Sequence, residues 1–346
     1  MESHLGVTNP TPTNMLALQE LRCDDEGAAY PIGSLVGLEY AKNLKSLSLT
    51  GSYLITDIEP LKALSKLQTL ELHCQRISDI SPLWNLPSLV YLDLASNLVQ
   101  DPRLNFTGPL QHLDLSWNPI ANVATTNLPK LTYLDLSGTQ ITQIPTLSGL
   151  PALTAKVTNL VTLNLSGNLI EDVNGLSGMQ KLSRVNLANN RLSDVRLTDV
   201  PALSYLDLSG NQVGDAGVLA RLASLPVLWQ LVLSDNPLGA MTVPAAPVHF
   251  PRLRTLILSR SQIGGMRTLT SLMRLPALET LDLSDNQIRN CDGLADLSRR
   301  QCKGSHRPDG TGICPEPVHA PVRPQPDHHL GAPGHTDEPA QVDPQQ

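Results

Sequence analysis

Most residues able to do chemistry in this chain of 346 sit in one recurring place. Aspartates stand at Asp93, Asp114, Asp135, Asp207 and Asp282, each one residue after a leucine, as in Tyr91-Leu92-Asp93, His112-Leu113-Asp114, Tyr133-Leu134-Asp135 and Tyr205-Leu206-Asp207. Paired carboxylates are what general acid–base hydrolysis needs, one protonated and one ionised. His112, beside Asp114 and Asp135, completes one acid–base grouping, yet no nucleophile is placed to use it. An aspartate returning at an equivalent position belongs first to the repeat that carries it. The chain is therefore read as non-enzymatic and without a cofactor.

Other chemistry is absent by motif. There is no G-x-x-x-x-G-K-[ST], G-x-G-x-x-G, G-x-S-x-G or H-E-x-x-H, and Gly175 and Gly178 fall in a repeat loop rather than before a phosphate-binding helix. Cysteines at 23, 74, 291, 302 and 314 are odd in number and lack C-x-x-C spacing, so neither a disulfide framework nor a zinc site is expected. Cys23 stands where the repeat places a leucine. His328, His329 and the other late histidines are irregularly spaced and predict no metal site. The net charge is −7, and up to Arg300 there are 26 acidic against 22 basic residues, a balance that argues against nucleic acid as a partner. No apolar run approaches a membrane span, and the first 30 residues lack a basic start followed by an apolar stretch. Neither membrane nor export is expected, and the location read from this is cytoplasmic.

The elements that position these residues follow from one template, L-x-x-L-x-L-x-x-(N/polar)-x-(I/L/V). It begins at Leu44, Leu67, Leu89, Leu110, Leu131, Leu160, Leu182, Leu203, Leu228, Leu253 and Leu278, at intervals of 21 to 25 residues apart from 29 between Leu131 and Leu160. Leu153-Thr154-Ala155 reads as a worn copy in that longer gap. The alternation x-L-x-L is a strand signature, so the leucines turn inward and the residues between them outward. Stacked copies predict an α/β solenoid with a concave parallel β-sheet. Its outer side is expected to be mostly 3-10 or short-helical: a 3-10 segment at Ile77 to Leu83, and a turn or two of helix at Gly214 to Leu225 and Gly264 to Leu275, stopped by Pro226 and Pro276.

The ninth template position is Asn97, Asn118, Asn168, Asn190, Asn211, Asn236 and Asn286, with Ser52, Gln75, Thr139 and Ser261 elsewhere. A side-chain amide donates and accepts, so it can satisfy the backbone of a buried turn, and the column is read as a structural ladder. The eleventh position is apolar throughout: Leu54, Ile77, Val99, Ile120, Ile141, Ile170, Leu192, Val213, Leu238, Ile263 and Ile288. It is expected to close the core, although Tyr53 to Ile58 reads as if one residue were inserted.

With those residues identified, the chain resembles the internalin-like and related short-repeat bacterial leucine-rich-repeat proteins. Gly37-Leu38-Glu39-Tyr40-Ala41-Lys42-Asn43-Leu44 resembles the lead into a first full repeat of that family. Ile77 to Leu83, Leu163-Asn164-Leu165-Ser166-Gly167-Asn168 and Leu206-Asp207-Leu208-Ser209-Gly210-Asn211 resemble its consensus. The similarity spans about residues 18 to 300, and it implies recognition of a protein by the concave sheet. Related readings are a regulatory subunit of a cytosolic enzyme such as a phosphatase, or a secreted adhesion protein read without its export signal. The expected organisation is a flexible leader at 1–17, a degenerate capping repeat at 18–43 built on Leu18, Leu21 and Cys23, a solenoid at 44–300, and a disordered Pro/His/Gly-rich tail at 301–346. The composition changes in mid-repeat after Leu297, which is read as a truncated or frame-shifted end.

In this register the third, fifth and seventh positions face the groove. Tyr91, His112, Tyr133, Arg184, Tyr205 and Gln230 form the third column. The fifth carries the aspartates, then Asn164, Asn186, Val232 and Ile257. Aromatics are only 3% of the chain, so three tyrosines at equivalent exposed positions mark a contact surface. The acidic column would suit a basic partner. Trp229, Val232 and Ile257, where apolar residues break the polar pattern, form a second candidate patch.

Overall fold

Each template strand is short because only its central leucine needs the core on one side and its two neighbours need the other. In the computed structural model the strands are β1 (Glu20–Asp24), β2 (Ser46–Thr50), β3 (Thr69–Glu71), β4 (Tyr91–Asp93), β5 (His112–Asp114), β6 (Tyr133–Asp135), β7 (Thr162–Asn164), β8 (Arg184–Asn186), β9 (Tyr205–Asp207), β10 (Gln230–Val232), β11 (Val248–His249), β12 (Thr255–Ile257), β13 (Met273–Arg274) and β14 (Thr280–Asp282). The structure describes residues 10–24, 32–121, 123, 128–144, 159–214, 216–240, 248–264 and 273–288, all within one compact unit, Met1–Gly312.

Twelve strands make one sheet in the order β1 to β10, then β12 and β14. Every pairing is parallel, because each coil returns to the same edge before laying down its next strand. Third position lies opposite third, and fifth opposite fifth: Tyr91 faces His112, which faces Tyr133, and Asp93 faces Asp114, which faces Asp135. Leu92, Leu113, Leu134, Leu163 and Leu206 point inward and are at most 2% exposed, within one continuous leucine core. A single coil could not hide these side chains, so each coil depends on its neighbours for burial.

The outer halves are built from 3-10 turns at Leu38–Tyr40, Glu59–Ala63, Ser81–Leu83, Asn174–Leu176 and Leu238–Ala240. Three of them start alike: Asp57, Asp79 and Asp172 each accept the backbone N–H two residues on, at 2.8, 2.8 and 3.0 Å. Such an Asx turn satisfies an amide that the short helix leaves unbonded. Helix α1 (Pro12–Met15) precedes the first strand, and α2 (Ala216–Ala223) fills the outer half that the sequence marks as helical. The helix expected up to Leu275 is corrected at its end: Met273–Arg274 are extended and pair with Val248–His249 in a second, two-stranded sheet. The rest of that segment, 265–272, lies outside the described residues, as do Leu153 to Ala155 and all of 289–346. β6 pairs directly with β7, so no coil contributes a strand between them.

The asparagines cross-link coils with a fixed set of bonds. Asn97 Nδ2 donates to Leu94 O and Ala95 O of its own coil and to Leu72 O of the coil before, at 3.0, 3.2 and 2.9 Å, while its Oδ1 accepts Ile77 N. Asn118, Asn168, Asn190, Asn211, Asn236 and Asn286 repeat the pattern. Where the following coil carries Thr139 or Ser261 instead, the accepting half of the rung is lost, although Ser261 Oγ still donates to Leu233 O of the coil before at 3.1 Å. The amides of Ile120 and Leu238 then bond to Asn118 O and Asn236 O within their own coils.

The first full coil corrects one expectation. Leu54 is 44% exposed, and Ile55 is fully buried in its place. Tyr53 takes a positive φ of 53°, where the chain loops out one extra residue. Gln75, one methylene longer than asparagine, reaches across that loop to accept Ile55 N at 3.2 Å and to donate to Leu49 O at 3.2 Å.

The eighth position has positive φ in every one of these coils. Gly51, Gly138, Gly167 and Gly210 take it without steric cost, whereas Cys74, Ser96, Trp117, Asn189, Asp235, Arg260 and Asp285 hold it at 52° to 57°. Trp117 is 68% exposed and lies over Gly138, where an added Cβ would stand 2.9 Å from the indole.

Candidate functional site

Adjacent strands place the third-column side chains one strand spacing apart, about 4.8 Å, close to the thickness of a stacked pair of rings. Tyr91 and His112 stack with centroids 4.2 Å apart and planes 10° from parallel, and His112 and Tyr133 at 4.1 Å and 5°. The result is one aromatic column across β4, β5 and β6, half-buried, with its ring edges toward solvent. Thr162 interrupts it, and beyond that Arg184 lies over the Tyr205 ring at 4.6 Å, a cation–π pair.

The fifth column does two jobs. One carboxylate or amide oxygen of Asp93, Asp114, Asp135, Asn164, Asn186, Asp207 and Asp282 accepts the seventh-position N–H of its own coil, at 2.8 to 3.1 Å. That bond turns the chain out of the strand and explains why Asp and Asn interchange here. The second oxygen faces the groove. Asp135 Oδ2 accepts Tyr133 Oη at 3.2 Å and Asn164 Nδ2 at 2.7 Å, and Asp207 Oδ2 accepts Tyr205 Oη at 3.4 Å. Asp93 Oδ2 lies 3.3 Å from His73 Nδ1, close enough for an ion pair but not aligned as a hydrogen bond.

Asp114 lies between two carboxylates on the adjacent strands. Burial, then the charges of Asp135 and Asp93, push Asp114 up to about 7. His112, held between two tyrosine rings, is lowered by burial and stays neutral at neutral pH. His73 is raised, chiefly by contact with Asp93. Burial and the nearby carboxylates raise Tyr91 and Tyr205 to about 12 and Tyr133 further still, so all three keep their hydroxyl protons.

The second patch is smaller. Val232 and Ile257 lie opposite each other in register, both half-buried, and Trp229, just before β10, is 38% exposed. β10 keeps its register with β9 and β12, so these residues are not rotated into the core. They stand four strands along the sheet from Tyr133 and form a separate surface. Three contributors were not picked out from the sequence. Glu71 extends the acidic column onto β3, His73 breaks the run of Ser and Ala at the seventh position, and Trp117 occupies an exposed eighth position. A histidine alone in a column of small residues was the signal available.

Among the described residues no three His, Cys, Asp or Glu side chains are grouped to hold a metal ion, and no helix is long and apolar enough to cross a membrane.

Family models described as leucine-rich repeats match residues 42–99, 109–123, 127–143, 158–201, 202–220 and 275–291. Leucine-rich repeat-containing protein 23 of Bos taurus is 30% identical over 190 residues, covering 48% of this chain and 54% of that protein. Leucine-rich repeat-containing G-protein coupled receptor 5 of Rattus norvegicus is 30% identical over 179 residues, 50% of this chain and 17% of the receptor. The chain thus spans about half the length of the first of these relatives and less of the second. Among solved structures, the functional domain of InlJ from Listeria monocytogenes matches with a TM-score of 0.57 at 20% identity, covering 82% of this chain and 57% of that one. A leucine-rich-repeat protein of Leptospira interrogans matches at 0.57 and 19%, covering 84% and 78%. At those identities the likeness is one of fold. Six matched segments in register with the coils, and a continuous parallel sheet with its asparagine ladder, make this chain a leucine-rich-repeat protein.

Proposed function

We propose that the chain is a non-enzymatic scaffold that docks a protein partner on the exposed face of its sheet, centred on β4 to β6. The supporting observation is the Tyr91–His112–Tyr133 stack, in which three rings are already ordered by one another and by the strands beneath. Ordered aromatics contribute contact area at little further entropic cost on binding, which is why they concentrate binding energy at interfaces. Catalysis is the poorer reading. One oxygen of each aspartate is committed to a backbone turn, and His112 is occupied on both faces.

The test is affinity capture from the source organism's lysate with the wild-type chain and with a Tyr91→Ala, Tyr133→Ala, Tyr205→Ala triple variant whose circular dichroism is unchanged. Loss of specific partners from the variant is the expected result. Unchanged recovery would remove the sheet face from the reading. Assay of a recovered enzyme with and without the scaffold then separates regulation from docking.

A further inference from the structure

We infer that the partner's docking element carries an arginine, whose guanidinium enters beside Tyr91 at Thr69, between Glu71 and Asp93. This deepens the docking reading and rests on it.

The chain itself shows what occupies a third-column slot beside a tyrosine face. Arg184 of β8 lies over Tyr205 of β9, with the Asp207 carboxylate in the adjoining column. The other end of the sheet offers the same surroundings without the cation. Tyr91 stacks on His112 with one face, and its other face looks toward β3, where Thr69 stands opposite it in register. Among the described residues no aromatic or cationic group contacts that second face. Threonine is short, so the slot one strand wide beside the ring is open.

The walls of the slot are anionic. Glu71 on β3 is followed in register by Asp93, Asp114 and Asp135, four acidic side chains on adjacent strands. Lys45 beside Ser46, His73 against Asp93 and, beyond Ser48, Arg22 and Glu20 of β1 are further ionisable groups near this part of the face, so the acidic excess is local to the run from Glu71 to Asp135. A guanidinium supplies five donors in a plane, enough for two carboxylates while its face lies on a ring. An ammonium supplies charge without that flat face.

The experiment uses fluorescein-labelled Gly-Ser peptides of about nine residues carrying three arginines, three lysines, three citrullines or three glutamates, titrated into the full chain by anisotropy at low and moderate salt. The arginine peptide is expected to bind about tenfold more tightly than the lysine peptide and to weaken with salt. The citrulline and glutamate peptides should not bind measurably. A Glu71→Gln, Asp93→Asn variant should lose about tenfold for the arginine peptide, and Tyr91→Leu should bring arginine and lysine together. Asp282→Asn, in the same column far along the sheet, should change nothing. Equal affinity for arginine and citrulline, or full binding by the Glu71→Gln, Asp93→Asn variant, overturns the inference. Equal affinity for arginine and lysine in the wild type overturns it too, since charge alone would then explain the face. If the triple-tyrosine variant loses its cellular partner while these peptide arms fail, docking stands and the arginine assignment falls.

Discussion

Asp114 is the residue whose surroundings most oppose its charge. Its pKa in the folded chain, about 7, lies above the value of 3.8 for a free side chain, because burial and two neighbouring carboxylates disfavour ionisation. Between those values the folded chain holds a proton that the unfolded chain has released. Stability therefore falls as pH rises from about 4 to about 7 and levels off above. Asp114→Asn keeps the bond to Ser116 N, as Asn164 and Asn186 show for their own coils, and removes the charge. Urea denaturation at pH 8 should find this variant more stable than wild type by on the order of 2 kcal/mol, with the difference vanishing near pH 4. A wild-type pH profile retained by the variant would mean the acidic column does not hold that strain. Gly138→Ala is a second test at this scale. It forces a Cβ into a φ of 65° and against the Trp117 indole, and thermal unfolding should show a loss of about 1–2 kcal/mol.

At the scale of the element, coil is joined to coil by leucine burial and by the asparagine rungs. Asn168 is 4% exposed, donates to three carbonyls, and accepts from Thr139 N, Thr139 Oγ1 and Ile141 N. Asn168→Ala leaves those groups unsatisfied and should cost about 1–3 kcal/mol in denaturant unfolding. Asn286, only partly buried in the last described coil, should cost less on the same change. Equal costs would show that the rung does not depend on burial. The strands, their parallel order and the rungs were legible in the sequence because leucine spacing and asparagine chemistry determine them locally. Position counting puts Leu54 in the core, whereas the extra residue is accommodated by the positive φ of Tyr53 and by the longer reach of Gln75, which a count does not carry. Met273–Arg274 were read as helix because nothing local encodes their pairing with Val248–His249. For the site, register places Tyr91, His112 and Tyr133 side by side. The near-parallel stack depends on side-chain rotamers, and Glu71 and His73 join it only through contacts across strands.

At the scale of the molecule, the sheet separates what holds the chain together from what it shows to solvent. Leucines and asparagines face inward and carry stability. The third and fifth columns face outward, where the aromatic stack, the acidic run and the Val232–Ile257 patch lie at different places along one surface. A solenoid can present such columns because its register is uninterrupted over twelve strands. The central claim, that this face docks a protein, is tested most directly by site-specific photocrosslinking. A photoreactive amino acid is placed at exposed Gln111, beside the stack, and separately at Lys62, 65% exposed in the 3-10 segment Glu59–Ala63 on the outer half of its coil. The account predicts a defined crosslinked partner from position 111, absent from position 62 and lost in the triple-tyrosine variant. The same partner captured from position 62 and not from 111 would contradict it.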